Sequence, residues 1–445
     1  MFTYVKLNNY RSLDGVFFDL KETKDRIKKI AAIYGENGSG KTNLIKSFYF
    51  LEGLMHSFDI EKSEKKLLKI LEENDDDKFK EIFTRALKEN SLNQIYRDAR
   101  TIEGDGNTRL EFGFEADGHE GIYIIEFNDV IVYEKLYYYT GKQSGIIYEI
   151  NEENPKNPKM STAIFKTSKI RNEIKELISK YWGKHSLLAI TFDMYNNLNK
   201  EYIYDNINPC LYSFHKMIGK TSVLLKDDKQ SSIISYSEIN FLRRLDNGTI
   251  ASEDEWLLKN SEKILNDFFT QTYSDIKKVF YKFYKKGKKI QYHLMFYKYI
   301  NGKARVIPVE QESTGTKQIL YILRSLFGAF YGHTVIIDEI DNGIHDLLLK
   351  VILDSMQGHI TGQLIFTTHN TILLESLDPK SVYIINSNYD GTKEINCLSE
   401  FKIQDHNSPR LRYIKGLYGG IPLIENVDYD QIIDDLKNKQ TNNQE

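Results

Sequence analysis

The sequence predicts an α/β fold: a mixed sheet assembled from both chain ends, an antiparallel β subdomain beside it, and a mainly helical insertion between. Three observations lead there. A glycine-rich segment, Gly35-Glu36-Asn37-Gly38-Ser39-Gly40-Lys41-Thr42, stands between an apolar strand pattern and a helical one. Far along the chain, a run of apolar and β-branched residues closes on two acids, Asp338 and Glu339. Between them lie a block of alternating apolar residues and then a block with helical spacing.

Composition sets the frame. With 445 residues, 41% hydrophobic and 28% charged, the chain is an ordinary globular one with room for two or three units. Sixty basic against 63 acidic residues leave a net charge of −3, so no global field marks a nucleic-acid or membrane binder. Two cysteines are too few for a disulfide framework or a four-cysteine zinc site, which fits a reducing cytosol. The start MFTYVKLNNYRSL reads as a strand and not as a signal peptide, and no apolar run reaches membrane-spanning length. A cytoplasmic protein with no membrane partner is expected.

Residues 1–60 are read as an N-terminal lobe in which FTYVKL, GVFFDL and KKIAAIYG are strands and TNLIKSFYFLEGLM is the helix opened by the glycine loop. Residues 61–104 carry apolar side chains at intervals of three and four, from Leu67, Leu68 and Leu71 to Phe79, Ile82, Phe83 and Leu87, broken by the acidic patch 74–77. Two helices are expected. Residues 105–150 hold four alternating runs separated by turn residues, the antiparallel subdomain. Asn151 to Pro158, polar with two prolines, is the best candidate linker, and residues 151–275 beyond it are read as the mainly helical insertion. Residues 276–424 form the C-terminal lobe, beginning with a hairpin about Gly287, and residues 425–445 a polar tail.

The glycine segment satisfies the G-x-x-x-x-G-K-[ST] pattern in its strand-to-helix setting. Glycines allow backbone N–H groups to close around phosphates while the helix aims its positive end at them. Lys41 would neutralise the β and γ phosphates, and the Thr42 hydroxyl would ligate Mg²⁺. A plain glycine cap is the bland alternative; the complete pattern argues against it. His333 to Glu339 reads as a buried parallel strand, and the carboxyl ends of such strands are where open α/β sheets bind ligands. There Asp338 would hold the metal and Glu339 would polarise the attacking water. Ser313 and Gly315 open the helix KQILYILRSLFGAFY, which suits either an N-cap or an anion site. A further strand ends in Thr367-Thr368-His369.

The segments GENGSGKTN, ESTGTKQ, VIIDEIDNGIH, FTTHN and RLRYIKGLYGGIP, in that order, resemble ABC-type ATPases of the SMC-like and OLD-like branch. Within it the chain resembles AAA family ATPases of bacterial antiphage defence, the group of the RloA and AbiL proteins and the PARIS sensor ATPase. The likeness covers residues 1–58 and 305–422 and not the middle. It implies ATP as the nucleotide, with Asn43 extending the loop, and Ser313 and Gly315 of one copy touching the γ phosphate held by Lys41 of another. His369 resembles the histidine that senses that phosphate, and 341–345 the segment at the interface between copies. Arg410, Arg412, Lys415, Gly416 and Gly419 resemble the family's C-terminal motif. Thr314 stands where transporters carry the first of two glycines, which weakens a transporter reading.

The resemblance implies a slow or regulated ATPase that assembles as a homodimer or higher oligomer and controls a separately encoded effector, such as a TOPRIM-type nuclease, in response to a phage protein or DNA. About twenty mostly polar residues follow Pro422, too few for a fused nuclease. Two other classes compete with it: an SMC-like DNA-maintenance clamp, and a scaffold that binds ATP without turning it over. Lys277 to Lys289, lysines interleaved with aromatics, is the one local basic cluster; it suits a phosphate backbone or, more simply, a protected hairpin edge.

Overall fold

The alternating start of the chain makes β1 (Phe2–Asn8), with Phe2, Val5 and Leu7 buried and Lys6 exposed, and β2 (Val16–Asp19) pairs with it antiparallel. A computed structural model describes residues 1–72, 91–226, 239–401, 408–421, 428–433 and 436. The acidic patch 74–77, Phe79 to Leu87, Pro422 and most of the tail lie outside these residues.

A small hairpin, β3 (Lys21–Thr23) and β4 (Arg26–Ile27), leads to β5 (Ile30–Gly35), which is buried on both faces, and then to α1 (Lys41–Met55), α2 (Ser57–Glu72) and α3 (Leu92–Ala99). The antiparallel block follows as β6 (Thr108–Ala116), β7 (His119–Phe127), β8 (Ile131–Tyr139), β9 (Ser144–Asn151) and β10 (Lys159–Met160). The expected linker 151–158 is the turn between the last two of these strands, closed by the Asn154 amide on Asn151 Oδ1. Turn composition misled here, because Pro and Asn serve a hairpin as readily as a linker.

The insertion holds α4 (Ser168–Tyr181), α5 (Leu187–Asn197), α6 (Lys200–Asn206) and α7 (Cys210–Gly219), then β11 (Thr221–Leu224), β12 (Asn247–Ala251) and α8 (Glu255–Thr272). The predicted hairpin is β13 (Ile276–Lys286) and β14 (Lys289–Ile300), with β15 (Lys303–Pro308) beyond it. The last stretch gives α9 (Thr314–Phe330), β16 (Thr334–Ile337), α10 (Asp346–Met356), β17 (Gln363–Thr367), β18 (Val382–Ser387), β19 (Lys393–Cys397) and α11 (Pro409–Ile414).

These strands form the α/β architecture expected. A six-stranded mixed sheet runs β11-β16-β17-β5-β18-β19, parallel except for β19, and takes strands from both ends of the chain. A seven-stranded antiparallel sheet runs β10-β9-β8-β7-β6-β1-β2. Two differences from expectation matter. The first two strands join the antiparallel sheet, so β5 alone carries the N-terminal end into the mixed sheet. Inside the insertion, β11 supplies an edge strand of the mixed sheet; four residues between helices are too short to show a period.

Each face of the mixed sheet has its own core. Ala31 and Ile33 of β5 join the core shared with α1, the antiparallel sheet and the insertion helices, whereas Ile30, Ala32 and Tyr34 join that of α8, α9, α10 and the hairpin. Glu134, fully buried, docks the insertion onto the antiparallel sheet. It accepts hydrogen bonds from Tyr123, Tyr148, Trp182 and the amides of Leu187 and Leu188 at the start of α5. Burial raises its pKa, and the hydrogen bonds from Leu187, Leu188, Tyr148 and Tyr123 oppose the rise. Among the described residues no helix is long and apolar enough to cross a membrane.

Gln363 ties the two sheets together. Its buried amide accepts from the Phe2 N–H (2.9 Å) and donates to the carbonyls of Phe2 (3.0 Å) and Lys28 (3.1 Å). Gln363→Ala would leave these backbone groups unsatisfied, and we expect it to cost roughly 2–4 kcal/mol, read as a lower urea midpoint. An unchanged midpoint would show that water replaces the side chain.

Candidate functional site

The glycine loop follows directly from β5. At Gly35 (φ +156°) a Cβ would lie 2.6 Å from Ser39 Oγ and 2.8 Å from the Ile385 carbonyl; at Gly40 (φ +102°) it would lie 2.7 Å from Leu13 Cδ2. Neither position admits a side chain. Gly40 caps α1 without any side-chain hydrogen bond, so the amides of the first turn are left for an anion. Ser39 Oγ is buried and has no partner among the described residues, as a group awaiting a phosphate oxygen would be.

Lys41, nearly buried, donates from Nζ to the carbonyls of Gly35 (2.8 Å) and Glu36 (2.9 Å). Desolvation pushes its pKa down, and Asp338, Glu339, Asp341 and Glu36 oppose that. Asn37 and Gly38 form the exposed crest of the loop. Asn43 donates through Nδ2 to Ser12 Oγ (2.8 Å), which ties α1 to the Tyr10–Asp14 turn.

The strand-end acids meet the loop as expected. Thr42 Oγ1 donates to Asp338 Oδ2 at 2.9 Å. Thr367 Oγ1 donates to Asp338 Oδ1 at 2.6 Å and accepts the Glu339 N–H at 2.7 Å. One hydroxyl therefore fixes both acids. Glu339 sits at φ +48°, a left-handed backbone that a non-glycine residue holds only under constraint. Its carboxylate pairs with Lys226 just beyond β11, Nζ to Oε2 2.6 Å. Only the fold reveals this lysine at the site.

His369 follows β17, and its N–H donates to Asp341 Oδ2 (3.0 Å). Desolvation first, then the Lys41 and Lys226 cations, hold its imidazole below the ordinary pKa, so it is neutral at pH 7. Lys41, Thr42, Asp338, Glu339 and His369 thus share one site.

Ser313 and Gly315 have other neighbours. Ser313 Oγ caps α9 through the Thr316 N–H (3.2 Å), and a Cβ on Gly315 would lie 2.9 Å from the Gly343 carbonyl. The helix start therefore lies against the 341–345 segment. Among the described residues no hydrogen bond joins Ser313 or Gly315 to the glycine loop of the same chain. Glu312, just before, is clamped by Lys298 at 3.1 and 3.2 Å.

Among the described residues no three His, Cys, Asp or Glu side chains gather as a metal cage. A hydroxyl and one carboxylate, Thr42 and Asp338, suit Mg²⁺, which keeps its waters and takes phosphate oxygens for the remaining positions. The C-terminal motif buttresses the loop from behind. Tyr413 meets Tyr34 edge to face at 5.6 Å and donates to the Gly420 carbonyl (2.8 Å), and a Cβ on Gly420 would lie 3.4 Å from Gly35 Cα. Arg410 holds Thr371 (3.2 Å) and Arg412 lies over the Tyr418 ring.

A sequence model of the family described as "AAA domain, putative AbiEii toxin, Type IV TA system" matches residues 30–375. No curated protein matches the chain. Similar solved structures include an SMC head domain from Thermotoga maritima, at 13% identity and TM-score 0.38, covering 89% of this chain and 98% of that one. Another is an SMC head bound to the C-terminal winged-helix domain of ScpA, at 12% identity and TM-score 0.43, covering 89% and 97%. A third is an SMC head with an extended coiled coil bound to the C-terminal domain of ScpA, from Pyrococcus furiosus, at 11% identity and TM-score 0.37, covering 94% and 99%.

Thr367→Val keeps the shape of the side chain and removes its hydroxyl, leaving the Glu339 N–H and Asp338 Oδ1 without that partner. A stability loss of about 1–3 kcal/mol is expected by urea denaturation, with Thr367→Ser close to the parent. Equal losses in the two variants would assign the effect to packing.

Proposed function

This chain belongs to the AAA-domain family of that sequence model, and from this premise we propose that it is an ATP-hydrolysing switch whose nucleotide-bound copies assemble and control a separately encoded effector in antiphage defence. The observation that supports the reading is the hydrogen-bonded chain Thr42–Asp338–Thr367–Glu339, which joins the glycine loop to Asp338 and to the backbone N–H of Glu339 at the strand end. The family description, with its toxin and type IV toxin–antitoxin system, supports a defence setting.

In this reading the loop amides and Lys41 bind the β and γ phosphates, and Thr42 and Asp338 hold Mg²⁺, which when bound draws charge from the phosphate oxygens. Glu339 takes a proton from the attacking water as its oxygen bonds to the γ phosphorus and the bond to the bridging oxygen breaks. Neutral His369 donates a hydrogen bond to the γ phosphate. Ser313 and Gly315 meet the nucleotide of a second copy, which accounts for their separation from their own loop. The resemblance to the defence ATPases points to a separately encoded effector, such as a nuclease of the TOPRIM type, and to a phage protein or DNA as the trigger.

A second reading, a clamp on DNA, has one observation in its favour. At the far end of the β13–β14 hairpin Phe283 and Tyr284 are exposed among Lys282, Lys285 and Lys286, a surface able to stack bases and track phosphates. DNA affinity without an effector, falling steeply with salt, would favour it.

Glu339→Gln is expected to slow ATP turnover by at least about a hundredfold while nucleotide binding persists, and it should trap the assembled state by light scattering. Turnover equal to the parent would remove Glu339 from the mechanism. In a phage challenge Lys41→Ala is expected to abolish protection; full protection by that variant would sink the defence switch.

A further inference from the structure

A cavity of about 580 Å³ opens where the insertion meets the mixed sheet, away from the glycine loop. Its walls are aromatic: Phe192, Tyr195, Tyr204 and Tyr212, with the Tyr195 and Tyr212 rings 3.9 Å apart. Lys216 and Lys220 border it, and no carboxylate lines it among the described residues. Lys216 is exposed and makes no ion pair among those residues. His215 adds no charge, because burial pushes its pKa down to about 4. Tyr212 is 8% exposed, yet its hydroxyl has no hydrogen-bond partner among the described residues. A buried hydroxyl left so is costly unless something else answers it.

Three elements run from this cavity to the nucleotide site. Met55 and His56, at the end of α1, line it, and α1 begins at Lys41, about 22 Å away by helical rise. Lys220 lies just before β11, which leads to Lys226 on Glu339. His333 lies just before β16, which leads to Asp338 and Glu339. The two strands pair in parallel from Thr221 with Thr334 to Leu224 with Ile337, a span of about 10 Å. The residues that border the cavity are thus joined, through short rigid elements, to Lys41, Lys226 and Asp338.

We propose that this cavity is a second ligand site, for a planar aromatic ring carrying an anionic group such as a nucleoside monophosphate, and that its occupancy alters ATP turnover through β11 and β16. The aromatic walls suit the planar part, Lys216 the anion, and the Tyr212 hydroxyl a polar edge of the ring. A ligand that shifts β11 moves the lysine that holds Glu339. The coupling, though not the binding, rests on the ATPase reading above.

The test titrates the full chain by calorimetry with AMP, GMP, CMP and UMP in turn. At least one is expected to bind with Kd below about 1 mM. Lys216→Glu, a change at an exposed position, should weaken it about tenfold, as should Tyr204→Ala, while Lys41→Ala leaves it unchanged. Failure of all four to bind, or binding lost in Lys41→Ala and kept in Lys216→Glu, overturns the site. Saturating ligand should change ATP turnover about fivefold in the parent and not in Lys216→Glu; binding without such a change overturns the coupling. A parent chain that hydrolyses no ATP would strike the switch reading, and the titrations would still decide the pocket.

Discussion

Everything at the nucleotide site depends on β5 lying between β17 and β18. Ile30 pairs with Leu364 on one side and Ala32 with Val382 on the other, so a strand from the start of the chain closes a sheet built near its end. Parallel neighbours cannot be joined by a tight turn, so the intervening chain must be spent on other structure. Here it builds the antiparallel sheet, the helical insertion and the hairpin. The same pairing delivers Gly35 against Ile385 and brings Thr367 level with the strand that ends at Asp338. No part of the site can form on either end alone. Gln363, which holds both Phe2 and Lys28, makes the dependence mutual, because the N-terminal strand is anchored by the residue that begins β17.

Lys41 and Asp338, the two buried charges at the heart of the site, each have groups that answer them. Burying Lys41 alone would disfavour its ammonium form, but the acids of the 338–341 segment and Glu36 counter that. Asp338 accepts two hydroxyl hydrogen bonds, which satisfy a carboxylate without adding net charge. Glu339 differs. Its strained backbone is held by the hydrogen bond to Thr367, while its carboxylate is tied to Lys226, a residue contributed by the insertion. One acid is therefore fixed by the sheet core, and its neighbour is exposed to whatever moves the sheet edge.

Much of this was legible in the sequence because it is written in contiguous residues. The glycine loop, the apolar run ending in Asp338 and Glu339, and the four alternating strands of the antiparallel block each carry their own periodicity or spacing. Contacts made across the fold were not. Lys226 looks like any surface lysine after a short apolar run, and Gln363 like a polar strand start. Thr367 was seen as a strand end but not as the hydroxyl shared by two acids. Glu134 sits in an alternating strand where a solvent-facing acid is the natural reading, and only its five donors explain its burial. The C-terminal motif resembled a family feature without a role, since its closeness to Gly35 depends on a pairing that sequence order hides.

The edge strand β11 gives the insertion a mechanical position that its helices alone would not have. A helical domain appended to a sheet through loops can rotate without disturbing the strands, because few hydrogen bonds cross the boundary. Here the boundary is a ladder: Thr221 to Leu224 are paired residue for residue with Thr334 to Ile337, and the Asp338 amide continues the register by donating to Leu224. A displacement of α7 along its axis must either break that ladder or carry it along. Four parallel pairs with buried side chains resist breaking, and the strand they would carry ends at the paired acids. The insertion and the paired carboxylates Asp338 and Glu339 are thus joined by one sheet ladder, so a shift of that edge would reach the site through sheet register and would need no flexible relay.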